Sequence, residues 1–180
     1  MSRLGFTFNN IHSRDMGVEF QSADRTLLPP KRVTQYTIPG RSGTYDIAAG
    51  YDNREITLDV HFAGEAHNYP GVRSRARAVA AWLSGEGLLV FDDEPDRGYQ
   101  AKVVEGVSIE QIAVTGHCEV VFMCSPFAES LVYRQQDASS VSLPHTEQIE
   151  VLGTQETDCL IYITARGSVT NLTVTRTRVN

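Results

Sequence analysis

Glu55-Ile56-Thr57-Leu58-Asp59-Val60-His61-Phe62 is the stretch that fixes the fold class. Ile56, Leu58, Val60 and Phe62 alternate with Thr57, Asp59 and His61. A period of two places one set on a buried face and the other in water, as a half-buried β-strand requires. Downstream, His117 to Cys124 is apolar on both faces at Val120, Val121, Phe122 and Met123, which predicts a strand in the middle of a sheet. Leu88 to Phe91 and Tyr99 to Val104 are predicted to pair around the acidic turn Asp92-Asp93-Glu94-Pro95-Asp96. Upstream, Gly5-Phe6-Thr7-Phe8 ends at the turn pair Asn9-Asn10, and Met16 to Phe20 reads as its hairpin partner. The chain is therefore expected to be mainly β.

One helix is predicted, over about 72–84, after Pro70-Gly71. Val72, Ala76, Val79, Ala80 and Leu83 fall on one side at helical spacing, with Arg73 and Arg77 off that stripe, Trp82 at its edge and Gly85 as the C-terminal cap. Trp82 and Phe91 are assigned to the core.

Between Leu27-Leu28-Pro29-Pro30, which breaks regular structure, and Glu55 lies a strand over Val33 to Ile38, then the turn Pro39-Gly40-Arg41-Ser42-Gly43-Thr44 and a glycine-bearing polar stretch through Tyr51. It reads either as an extended hairpin arm or as a long loop, a length usually reserved for function. After Leu131 the composition shifts to Ser, Thr and Gln. Short strands are predicted at Ser140 to Leu143, Ile149 to Leu152, Cys159 to Thr164 and Leu172 to Val179. The domain boundaries expected are 1–130 and 131–180.

Composition excludes several functions. The formal net charge of -6 argues against a protein held on nucleic acid by phosphate neutralisation, while leaving brief contact with DNA open. No run of about 18 apolar residues exists, so no membrane partner is expected, and Met1 to Gly5 lacks the apolar core of a signal peptide. Cys118, Cys124 and Cys159 are odd in number and lack a CxxC pair, which predicts three buried free thiols and no zinc site. His12, His61, His67, His117 and His145 show no metal-ligand spacing, and adjacent His117 and Cys118 face opposite ways on a strand. Gly40 to Thr44 opens no helix and lacks the phosphate-loop Lys. The acidic turn does not follow calcium-loop spacing and has no nucleophile or histidine nearby in sequence. No cofactor, no metal and no catalytic residue is expected, so the chain reads as a non-enzyme.

Five segments, in order, resemble the siphophage tail component family. They are Gly5 to Ser13 with Met16-Gly17-Val18; Ile38 to Asp46; Ala80 to Gly85 followed by Leu89 to Asp96; Cys124-Ser125-Pro126-Phe127-Ala128; and Gly153 to Thr157. The resemblance implies a sandwich-like N-terminal β domain that forms a ring as a homo-hexamer around a channel for passing DNA. It implies a second, galectin-like β domain, here only partial. Its implied partners are the tail tube protein, a tail-tip hub protein and receptor-binding proteins. Its implied location is the virion's tail tip, after synthesis in the host bacterial cytoplasm. The subunit interface is expected on the arm, at Arg41, Tyr45, Tyr51 and Arg54. The competing reading is a glycan-binding β module for host adhesion, for which only Tyr133 and Tyr162 are available as stacking aromatics after Leu131.

Overall fold

The computed structural model describes residues 5–62, 69–104, 117–139, 144–150, 153–155, 157 and 159–177. It divides into two compact units, Met1–Arg134 and Gln135–Asn180.

Among the described residues, the first unit holds every strand and the helix: β1 (Phe6–Phe8), β2 (Ile11–His12), β3 (Val18–Arg25), β4 (Lys31–Thr37), β5 (Thr44–Tyr51), β6 (Arg54–Phe62), α1 (Tyr69–Leu83), β7 (Glu86–Phe91), β8 (Arg97–Val103), β9 (His117–Cys124) and β10 (Glu129–Ser130). One sheet runs β2-β1-β7-β8-β9-β6-β3, with β10 also pairing β8, and β4-β5 form a separate two-stranded ribbon. All pairings are antiparallel. Strand β9 is central, as its two apolar faces predict, and is registered on β6 through Ile56↔Phe122, Leu58↔Val120 and Val60↔Cys118.

The sheet is curled. In a flat sheet β3 would lie about 24 Å from β1 at 4.8 Å per strand. Yet the ring of Phe20 on β3 is 6.2 Å from Phe6 on β1 and 6.1 Å from Phe91 on β7. The two ends of the sheet therefore turn toward each other, and the inward side chains of both ends meet in one core. Ser13 fixes this corner. It is fully buried, its backbone N–H donates to Phe6 O, its hydroxyl accepts from Phe6 N–H, and its carbonyl accepts from Val18 N–H at 2.8 Å.

Helix α1 packs its buried face into this core. Pro70 suits the first turn, where the missing N–H leaves no bond unmade. Ala76, Val79, Trp82 and Leu83 are buried, whereas Ala80 is exposed, so the stripe is rotated from the predicted one and Trp82 lies within it. The Trp82 ring stacks on Phe6 with centroids 5.6 Å apart and meets Phe8 edge-on, and its indole N–H donates to Phe8 O at 2.9 Å. Gly85 does not adopt the left-handed cap conformation. Instead, the Ser84 hydroxyl donates to Ala81 O.

Two details differ at the N-terminus. Strand β1 pairs with Ile11-His12, not with Met16 to Phe20, because Asn9 and Asn10 take φ of 50° and 63° and close a two-residue hairpin. Val18 instead begins a longer strand whose partner is β6.

Among the described residues of 135–180 there is no helix or strand. Strands expected at Ile149 to Leu152, Cys159 to Thr164 and Leu172 to Val179 are not formed in the described parts, and Ser140 to Leu143 lies outside the described residues. Leu160, Ile161, Tyr162 and Ile163 are all more than half exposed. The apolar run there supplies propensity, but it has no partner strand among the described residues, and a strand without a partner leaves its backbone groups unpaired.

Cys118 and Cys124 are buried free thiols, but Cys159 is exposed, contrary to expectation. Burial pushes the Cys118 thiol up to about 11 and the Cys124 thiol up to about 12, so neither offers a thiolate at neutral pH. Ellman's reagent is expected to titrate one thiol in the native protein and three in denaturant. Fast reaction of a second native thiol would contradict this packing.

Candidate interaction surface

The stretch left open between arm and loop is an arm. Strands β4 and β5 pair from Lys31↔Tyr51 to Thr37↔Thr44, and the tip turns through Gly40 and Gly43, both at positive φ with open space around the α-carbon. At its base Asp52 N–H donates to Pro30 O, Arg32 pairs with Asp52 at 2.7 Å, and Tyr51 packs edge-on against Phe127 at 5.0 Å. Every residue of β4 is exposed. The register puts Tyr36 opposite Tyr45 and Thr34 opposite Ile47, so these side chains share one face. Tyr36, Tyr45 and Ile47 on that face are 53%, 45% and 58% exposed. An isolated two-stranded ribbon is marginal in water, and this one leaves an apolar face and two unpaired strand edges open.

The four residues expected at the interface separate. Arg41 lies at the tip, its guanidinium 4.8 Å from the Tyr45 ring centroid, and both are exposed. Tyr51 is half-buried at the base. Arg54 is not on the arm. It starts β6, is 6% exposed, donates from Nε to Pro126 O at 2.9 Å and from one terminal nitrogen to Thr26 O at 3.1 Å, and lies over the Tyr99 ring. Its position three residues after Tyr51 gave no hint of this, because burial depends on the distant Pro126 turn. Tyr36 and Ile47, which sequence reasoning passed over, were accessible from the cross-strand register once a hairpin was assumed.

The acidic turn, which links β7 to β8, closes the curled sheet. Asp92 accepts from Gly5 N–H at 3.1 Å, from Arg14 at 3.2 Å, and meets His12 Nε2 at 3.0 Å. Arg25, at the end of β3, grips Asp93 with two nitrogens, reaches Glu94, and lies 4.5 Å from the Phe91 centroid. Asp92 and Asp93 are thus committed to cations of the same chain, and the turn is a clasp between the sheet's two ends. The hydrogen bond from Arg25 holds the Asp93 carboxyl below its ordinary value. A depressed carboxyl contributes stability above the unfolded value of about 3.9, and the contribution is lost as pH falls through the lower folded value. Asp93→Asn is therefore expected to cost roughly 1 kcal/mol at pH 7, given the pair's partial exposure. That cost should shrink as pH falls below the unfolded value of about 3.9 and through the lower folded one, as urea melts at several pH values would show.

Among the described residues, no helix is long and apolar enough to cross a membrane.

Curled antiparallel sheet, two-stranded ribbon and, among the described residues, one helix together define a mainly β domain. Residues 9–124 match the family described as the phage tail protein RIFT-related domain, and this chain belongs to that family of siphophage tail proteins. Its fold is similar to that of the SPP1 Dit (gp 19.1) protein, whose crystal structure is described as a paradigm of the hub adsorption apparatus in phages infecting Gram-positive hosts. That similarity has a TM-score of 0.58 at 16% identity, over 71% of this chain and 52% of the SPP1 protein. The chain spans about half the length of that solved relative, and the likeness is one of fold. No curated protein sequence matches the chain.

Proposed function

We propose that this chain is a distal tail protein, a non-enzymatic component of the virion that assembles as a hexameric ring at the tail tip. The ring joins the tail tube protein to a tail-tip hub protein, offers a platform for receptor-binding proteins, and leaves a channel through which DNA passes without specific binding. The observation that carries this reading is the arm, an exposed ribbon with an apolar face on a closed domain of the tail family. A neighbouring subunit can cover the Tyr36-Tyr45-Ile47 face and pair with a strand edge. One arm against a different patch on the next copy is a heterologous contact, the kind that closes a ring. The net charge of -6 per subunit favours sliding of DNA over sticking. The glycan-binding alternative gains no support, since the described residues after Gln135 form no sheet that would present a groove.

Light scattering behind a sizing column, over a concentration series, tests the reading. The expected result is a hexamer or a concentration-dependent climb toward one. Tyr45→Ala and Arg41→Glu should weaken assembly at least tenfold, about 1.4 kcal/mol per contact, with unchanged unfolding midpoints. A strict monomer, alone and with tube and hub proteins added, would remove the proposal.

A further inference from the structure

The outer face of the sheet carries a second cluster, away from the arm. Side chains that alternate with the buried Val18, Phe20, Val60, Cys118 and Val120 point outward. Three of these stand in one row across three adjacent strands. Glu19 on β3 is registered opposite His61 on β6, and His61 is registered opposite His117 on β9. Asp59 shares the face two residues before His61. Nε2 of His61 lies 3.3 Å from a Glu19 carboxylate oxygen, and Nδ1 of His117 lies 3.5 Å from Asp59.

Two imidazoles opposed on neighbouring antiparallel strands have β-carbons about 4.5–5.5 Å apart. One ion with metal–nitrogen bonds of about 2.0–2.1 Å can span that gap. The backbone that holds them is rigid, since β6 and β9 are paired without a break from Arg54↔Cys124 to His61↔His117. A carboxylate on the third strand completes a two-imidazole, one-carboxylate donor set, the set favoured by divalent ions of intermediate softness. We infer that Glu19, His61 and His117 form a binding site for a divalent transition-metal ion of the zinc or nickel type, with Asp59 beside it as a further oxygen donor.

Each imidazole is now turned to a carboxylate, and in this arrangement of side chains no group of three among the described residues is placed to hold a metal ion. Turning His117 from Asp59 toward His61 is the rearrangement that the site requires. Glu19 already touches His61 and keeps only 13% of its side chain exposed. The bound ion would pin β3, β6 and β9 together, so it should raise thermal stability by mass action.

Zinc titration of the whole chain by calorimetry, paired with thermal melts, is the test. It is run in a Cys159→Ser background, because that exposed thiol is a soft ligand in its own right. The expected result is one ion per chain, bound tighter than about 0.1 mM. Binding should weaken at least roughly tenfold in His61→Ala and in His117→Ala, as loss of a ligand entails, and persist in His12→Ala and His145→Ala. His117, with half its side chain in water, is the substitution that leaves the fold intact, and circular dichroism verifies this for each variant. No saturable binding, or undiminished binding in the His61→Ala/His117→Ala double variant, would overturn the site.

Discussion

Trp82→Ala is expected to destabilise the protein by about 3–5 kcal/mol, the range for truncating a buried large aromatic. Three losses act together. The stack on Phe6 and the edge contact with Phe8 disappear, a cavity opens between α1 and β1, and the indole hydrogen bond to Phe8 O is lost. Trp82→Phe separates these effects. It keeps a ring against Phe6 but removes the indole hydrogen bond to Phe8 O, which costs about 0.5–1.5 kcal/mol. Trp82 is the single tryptophan, so the variants must be followed in urea by circular dichroism and not by indole fluorescence. An Ala variant within 1 kcal/mol of wild type, itself about the mean for any substitution, would mean that α1 does not seal the core as described.

Arg54→Met should rank second, at about 2–4 kcal/mol, because two backbone carbonyls lose charged donors at once. Pro126 O and Thr26 O belong to segments 72 and 28 residues away from Arg54, so one guanidinium ties the exit of β9 to the exit of β3. Methionine fills similar volume, which isolates the hydrogen bonds from packing. Arg54→Lys should recover only part of the loss, since an ammonium cannot reproduce the planar fork. Unchanged stability of Arg54→Met in denaturant melts would refute this account. The contrast with Arg41→Glu is informative: Arg54 should affect folding, whereas Arg41 should affect assembly.

Local signals were legible in the sequence wherever one period dominated. Glu55 to Phe62 alternates cleanly, and the structure buries Ile56, Leu58 and Val60 with β9 alongside. The acidic turn was legible as a turn because Asp and Pro suit one, but its cations were not. His12, Arg14 and Arg25 are far from it along the chain and meet it only after the sheet curls. The same reason hid the true role of Arg54. The strands expected after Leu131 are not formed in the described parts for the opposite reason, since the apolar run at Cys159 to Thr164 is a local preference that needs neighbours to become a strand. The arm lay between these cases. Its turn was readable at Pro39 to Thr44, while the choice between ribbon and loop rested on pairings that only register decides.

The curl has a kinetic consequence. Its fastening contacts join residues far apart along the chain: Gly5 with Asp92 at a separation of 87, and Phe8 with Trp82 at 74. Chains dominated by such distant contacts lose much loop entropy before any reward arrives and fold on the order of milliseconds to seconds. Strand β6 cannot find its central partner until synthesis has passed Cys124. The arm is the exception, since Tyr36 and Tyr45 are close in sequence, and a hairpin of this kind closes on the order of microseconds. A nascent chain thus exhibits its stickiest surface long before the body that carries it is complete. Productive association of copies must wait on the slower event, and encounters made earlier are the ones that lead to aggregates.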